Sequence, residues 1–405
     1  MDFLLDAGVF LLRWLHVVAA IAWIGESFYF VMLDRALRPP RTPREGVFGE
    51  LWSVHGGGFY HKQKYLVAPA EMPEDLHWSK WKSYTTWLSG FALLSAMYFS
   101  APGIYLIDPA RMALSGPQAV ALAIAFLAAG WLVYDALCRL VGFRDELLGV
   151  LVGLFVLALC YAATALFAGR AAFLLVGAVL ATIMSANVFF IIIPGQKRMV
   201  AALARGETPD PLPGKRGKQR SVHNTYFTLP VVFAMLSNHY ASAHAHEWNW
   251  LVLALFMAAG ALIRQFFVLW HSGGRAWWLL GAGGGLIALT LALLAPRAPV
   301  VPAAAAPGAA PAAAAAGPVL DMAGVQAILK QRCAACHSAQ PTLMAAAPLG
   351  AMFDTPEQII ARAERIHLQV VQLKIMPPGN LTQLSDEERA ALDRWFQDGR
   401  QRGQW

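Results

Sequence analysis

Long apolar runs alternate with short polar interruptions over the first three quarters of the chain. Covering roughly 30 Å of hydrocarbon takes about 20 helical residues. Runs of that order fall near 9–33, 84–107, 117–138, 147–167, 171–193, 226–243, 248–270 and 277–295, and 226–243 is the most polar of them. Long polar stretches occupy 34–83 and 194–225. The start, Met1-Asp2-Phe3, lacks the basic region and small-residue cleavage site of a leader, so the first run is expected to stay as a helix. Beyond 295 the pattern changes. Residues 296–318 are almost only Ala, Pro, Val and Gly, which cannot bury a core and suit a semi-extended tether. Its prolines argue against an Ala-rich helix. Residues 319–405 return to amphipathic spacing, with an apolar stretch from Val325 to Leu329 and a capping box, Ser385 to Glu388, that opens a last helix. Leu392, Trp395 and Phe396 are expected to pack that helix onto the first. The pattern predicts an all-α chain: a polytopic membrane bundle of about eight spans (1–295), a linker (296–318) and a small helical domain (319–405).

Composition agrees. The 405 residues are 57% hydrophobic and 14% charged, against about a quarter charged in soluble domains. Stretch 34–83 carries eight Lys and Arg, and 194–225 carries seven. The connections near 108–116, 168–170 and 244–247 carry one, one and none. Positive-inside bias then puts 34–83 and 194–225 in the cytoplasm and both termini outside. That orientation corresponds to a multi-pass protein of a bacterial inner membrane with the C-terminal domain in the periplasm. Residues 319–405 hold nine basic and nine acidic side chains, so the net +7 belongs to the bundle and linker. Topology accounts for it, and no nucleic-acid partner is implied; the partner is the lipid bilayer.

Candidate chemistry begins at Cys333-Ala-Ala-Cys336-His337. This is the attachment pattern of one c-type haem, with thioethers from Cys333 and Cys336 and His337 on iron. Covalent haem attachment takes place on the oxidising face, the side that charge bias chose independently. Thirty-nine residues later, Met376 sits in Lys374-Ile-Met-Pro-Pro-Gly379. A methionine in a proline-rich loop is how class I cytochromes c present the opposite axial ligand. Met344 and Met352 lack the Pro-Pro neighbour, and His367 reads as a surface or core histidine. No second cysteine pair supports zinc or a dithiol, and Cys138 and Cys160 read as small packing residues.

Ionisable groups inside spans default to functional hypotheses. At about 1.5 Å of rise per residue, Glu26, Asp135, Asn187, Arg264, Gln265, His223, Asn224 and His271 share the cytoplasmic layer. Structural pairing, Glu26 with Arg264 for example, is the alternative to a site there. As a pocket, Asn187, Asn224, Arg264 and Gln265 could grip a small planar anion, with Glu26 or His223 as proton acceptor. Arg13, His16, Asn238 and His239 lie in the outer third, with His244 and His246 just beyond. His16 and His239 stand at comparable depth, where a bis-histidine haem b would fit between spans 1 and 6. The segment from His55 through Gly56-Gly57-Gly58 to His61 could line the inner pocket or form an ordinary turn.

Three segments then combine with the C-terminal pattern. They are Trp23-Ile-Gly-Glu26-Ser-Phe-Tyr-Phe30, Ala186-Asn-Val-Phe-Phe190 through Pro194 and Gln196, and His223-Asn-Thr-Tyr-Phe-Thr-Leu-Pro230 through Ser237-Asn-His-Tyr240. Over essentially the whole length the chain resembles the bacterial membrane-bound urate oxidases, urate hydroxylases of the PuuD type. The resemblance implies oxidation of urate toward 5-hydroxyisourate in purine breakdown, with the hydroxyl from water. Electrons would leave through the haem c to a periplasmic cytochrome c or terminal oxidase of the respiratory chain. The competing reading is a non-enzymatic electron-transfer subunit that relays electrons from quinol or another complex. A transporter with a fused cytochrome finds no support in an internal repeat of broken helices.

Overall fold

Helix α1 (Asp2–Ala36) opens the chain in a computed structural model that describes residues 2–66, 69, 72–295, 319–344 and 347–405. The tether expected at 296–318 lies outside the described residues. A hairpin follows, β1 (Val47–His55) and β2 (Gly58–Tyr65), paired antiparallel with His55 opposite Gly58. Its two-residue turn is Gly56-Gly57, with φ of 58° and 81°, the left-handed pair that such turns require. The exposed turn tip accounts for the glycine run without a pocket role. This hairpin is also the departure from an all-α chain. It leans on the end of α1 through Lys64–Asp34 (2.6 Å) and Lys62 over the Tyr29 ring (5.2 Å).

The bundle continues with α2 (Trp81–Leu94), prolonged by a π turn at Ser95–Phe99, and a short α3 (Pro102–Tyr105). Then come α4 (Gly116–Val141) and α5 (Asp145–Leu166). Helix α6 (Gly169–Ala186) runs through a π turn (Asn187–Ile192) into α7 (Ile193–Ala204). Helix α8 (Pro211–Leu236), a 3-10 turn (Ser237–His239), α9 (Ala241–His244), α10 (Asn249–His271) and α11 (Trp277–Leu294) complete it.

Among the described residues, six helices are long and apolar enough to cross a membrane: Ala7–Ala36, Gly116–Val141, Asp145–Leu166, Gly169–Ala204, Asn249–His271 and Trp277–Leu294. Eight were expected. The two that fall short are α2, rich in Ser and Thr, and α8, which begins fifteen residues before the apolar run expected at 226. Asp210 caps α8 by accepting from Leu212 N–H (2.9 Å), so its basic first half is helix rather than loop. Both polar helices still pack inside the bundle, α2 against α1 and α8 against α6 and α10. Their polar faces are therefore sheltered by neighbours rather than presented to hydrocarbon, which is how such helices survive there.

A second, separate core lies in residues 319–405, formed by α12 (Met322–Arg332), α13 (Pro356–Ile360), α14 (Ala363–Ile366) and α15 (Asp386–Gln401). Val325 and Leu329 of α12 pack with Leu392, Trp395 and Phe396 of α15. Ser385 and Glu388 form the expected capping box, and Glu388 also takes Arg332 at 3.1 Å, tying the end of α12 to the start of α15.

Candidate functional site

Helix α8 is the wall against which most of the polar groups expected in one layer gather. Arg220, His223, Asn224 and Phe227 recur at i, i+3, i+4 and i+7, one stripe of a helix. The stripe meets α4 and the π turn after α6. Asp135 Oδ1 accepts from Arg220 Nη2 (2.6 Å) and Oδ2 from Arg139 Nε (2.6 Å). The Arg220 guanidinium also covers the Tyr134 ring at 4.9 Å. Its Nη1 donates to Asn187 Oδ1 (3.4 Å). Arginine can only donate, so this orients the amide. Asn187 Nδ2 then donates to Tyr134 Oη (3.2 Å) and to Asn224 Oδ1 (2.8 Å), while Asn224 Nδ2 donates to Met184 O (3.0 Å). With its oxygen accepting from Asn187, Tyr134 directs its own hydrogen to His223 Nδ1 (2.7 Å). The His223 ring proton accordingly sits on Nε2. Asn187 stands at the start of the π turn, a deviation that recurs at functional positions because it re-aims side chains.

A second cluster lies between α8, α1 and α10. Tyr226 O–H donates to Gln265 Oε1, and Thr225 and Ser27 share a hydrogen bond of 3.3 Å. Arg264, beside Gln265, is 3% exposed, with its guanidinium 4.2 Å from the Phe28 ring centroid. Its Nε and Nη2 have no hydrogen-bond partner among the described residues. One turn earlier, Gly260 faces the proline of α8: a Cβ there would lie 3.0 Å from Pro230 Cδ and 3.1 Å from Leu229 Cβ. That close approach is what sets α10, and Arg264 with it, against α8.

The expected single layer thus resolves into separate groups. Asp135, Asn187, His223 and Asn224 meet each other, and Arg264 and Gln265 meet Tyr226 and Phe28. Glu26 joins neither. It binds Lys82 Nζ (2.7 Å) and Ser79 Oγ of the α2 side, with 19% of its side chain exposed. Two residues of helix turn about 200°, so Glu26 and Phe28 point to opposite sides of α1, and the Glu26–Arg264 pair does not form. His271 is half-buried at the end of α10. Of the residues expected in the outer third, His16 meets Thr86 O (3.0 Å) and Ser89 Oγ (3.1 Å) of α2 through Nδ1. His239 is exposed in the turn after α8. Sequence reading missed Tyr134, Arg220 and Tyr226. Arg220 sits in a basic stretch that reads as loop, although its spacing to His223, Asn224 and Phe227 carries a helical signal.

In residues 319–405, Cys333, Cys336 and His337 lie on the turn that ends α12, with His337 N–H donating to Cys333 O (2.8 Å). His337 Nδ1–H donates to Ala351 O (2.8 Å), and its ring stacks on Phe353 at 4.8 Å. This leaves Nε2 free to accept or to coordinate, the arrangement a metal-ligating imidazole would need. Burial pushes the Cys333 thiol up to about 12, unlike the low-pKa thiolate of a redox dithiol. Met376 packs against the second core, and its carbonyl accepts from Arg389 Nη1 (2.9 Å). His367 is taken up structurally: it donates to Asp393 (2.8 Å) and stacks on Phe396 at 4.1 Å. Two thiols, an oriented imidazole and a thioether in a braced loop suit a covalently held haem.

A family model described as urate oxidase N-terminal matches residues 2–295. No curated protein and no solved structure shows a significant match to the chain.

Proposed function

The chain belongs to the urate oxidase N-terminal family, and on that premise we propose that its membrane bundle oxidises urate to 5-hydroxyisourate. Urate gives up two electrons and two protons while water supplies the hydroxyl, so the reaction needs an electron outlet and a proton acceptor. Arg264 carries the site assignment. Stranding a charged group in a low-dielectric interior costs several kcal/mol, and its two open donors match the paired acceptor edge of a planar anion. Gln265 adds an amide whose carbonyl is already taken by Tyr226, which leaves its N–H groups for the ligand. Phe28 closes one face of the guanidinium. Asn187 and Asn224 bind one another and Met184 O; their part is to hold α8, and through it Tyr226, in register.

Proton removal falls to His223 rather than Glu26, because His223 stands one helical turn before Tyr226 on α8, and Tyr226 joins α8 to the Arg264–Gln265 cluster. Its Nδ1 already takes the Tyr134 hydrogen bond, so a proton reaches it by way of that phenol. Glu26 faces α2 and is neutralised by Lys82. The electron outlet is the C-terminal segment, where Cys333, Cys336, His337 and Met376 would hold a haem c. That group accepts one electron at a time and would pass it to a periplasmic cytochrome c or terminal oxidase outside the bacterial inner membrane. His337 and Met376 would both be taken up in holding that group, which leaves urate to react elsewhere, in the bundle.

Anaerobic addition of urate to the purified protein tests this reading. The absorbance of a reduced c-type haem is the expected result. No reduction overturns the enzymatic reading and favours a relay subunit fed by another donor. Met376→Ala is expected to leave the haem attached but change its spectrum and potential, and an unchanged spectrum removes Met376 as a ligand.

A further inference from the structure

Residues 101–111 form a shoulder at the end of the bundle away from Arg264. It is braced from below. Ala168 N–H donates to Leu106 O (2.9 Å), and Arg111 Nη1 donates to Thr164 O (2.7 Å). Asp108 accepts from Ala110 N–H (3.1 Å) and pairs with Arg111 (3.4 Å). Leu106 is wholly buried.

Onto this shoulder comes Pro378–Asn380, the turn that begins two residues after Met376, packed against α3. Gly379 has φ +54°, and a Cβ there would sit 2.8 Å from Ile107 O and 3.4 Å from Pro109 Cδ. Two independent constraints therefore select glycine: a left-handed backbone and a main-chain oxygen too close for any side chain. The loop is also held from its own side. Arg389 Nη1 donates to Val370 O (2.5 Å) and Met376 O (2.9 Å), and Asn380 exchanges hydrogen bonds of 3.0 Å with the Leu384 backbone. Both surfaces are thus built before they meet.

We propose that Leu106–Pro109 is the docking seat for the Met376–Asn380 loop, so that the methionine edge of the C-terminal domain faces the bundle when docked. The partner is this chain's own domain. The seat is small, as in transient electron-transfer encounters. Covalent linkage through residues 296–318 compensates, since a linked partner is present at an effective concentration on the order of millimolar. While docked, this edge is hidden from a soluble acceptor, so loading and delivery alternate. The purpose assigned to the seat rests on the electron-outlet reading; its existence does not.

The test uses the full-length protein without urate, so its failure is distinct from failure of the urate reading. Asp108→Cys with Pro378→Cys is treated with a short bismaleimide, and the linked peptides are followed by mass spectrometry. A control pairs Pro378→Cys with Trp248→Cys, an exposed position in another loop at the same end of the bundle. The seat predicts linking at Asp108 at least about tenfold faster than at Trp248, from the higher local concentration. Equal rates would mean a freely swinging domain and overturn the proposal. Adding Pro109→Trp, which alters the bundle and leaves residues 319–405 untouched, is expected to erase the difference. Retained selectivity in that variant would also overturn it.

Discussion

Two arginines are buried in the same bundle and are treated in opposite ways. Arg220 is 4% exposed and Arg264 is 3% exposed. Arg220 has a carboxylate at 2.6 Å, an amide oxygen at 3.4 Å and an aromatic face beneath it. Arg264 has the aromatic face alone for two of its nitrogens. A buried cation needs a counter-charge. For Arg220 the chain provides it in Asp135, so that arginine cements α4 to α8. For Arg264 no counter-charge is in place among the described residues, and on the proposed reading it arrives with the ligand. The contrast separates structure from function where composition and depth are the same.

The comparison can be broken most forcefully at Asp135. Asp135→Ala leaves Arg220 buried and unpaired, and a loss of about 3–5 kcal/mol is expected, read as thermal unfolding in detergent. Near-native stability would deny Arg220 its structural role. Arg264→Leu should do the reverse. Stability is held or improved, while urate-driven haem reduction slows by roughly 10- to 200-fold, the worth of a charge-assisted hydrogen bond of about 1.5–3 kcal/mol. If that variant instead unfolds early and the remaining folded fraction turns over normally, the two arginines are alike after all. Tyr134→Phe sharpens the picture at the next level down. It leaves Asn187 and His223 each short of a partner, at about 1–3 kcal/mol, and slows reduction without weakening urate affinity; unchanged turnover would take the phenol out of the proton path. Glu26→Gln is the mildest. An accessible pair with Lys82 is worth about 0–1 kcal/mol, and turnover should persist, whereas its loss would restore Glu26 as the base.

Much of the architecture was legible because it follows from local composition. Apolar runs marked the helices that meet membrane length and hydropathy, and the Ser385–Glu388 box marked the start of α15. The exceptions are instructive. Helix α8 begins well before the apolar run at 226, in a stretch where Lys215, Arg216, Lys218 and Arg220 look like a loop. The chain folds them into a helix whose Arg220 turns inward to Asp135. In the hairpin, Trp52 stacks on His61 (4.2 Å) and Glu50 accepts from His61 Nε2 (2.8 Å), cross-strand partners that no helical period could reveal. The site was legible as a list of residues at one depth. Glu26 was on that list, yet rotation about α1 sends it to Lys82.

Most of the apolar helices and the Ser385–Glu388 capping box could be read from the chain alone. They depend on neighbours a few residues away, through turn geometry, rise per residue and the reach of one side chain. Only the folded bundle decided that Asp135, Asn187, Arg220 and Asn224 satisfy one another while Arg264 does not. Pairing depends on which helix faces are pressed together, and that is set by contacts between residues far apart in sequence, such as Gly260 against Pro230. The helix face a buried charge occupies decides whether it is paired, as Arg220 is, or left open, as Arg264 is.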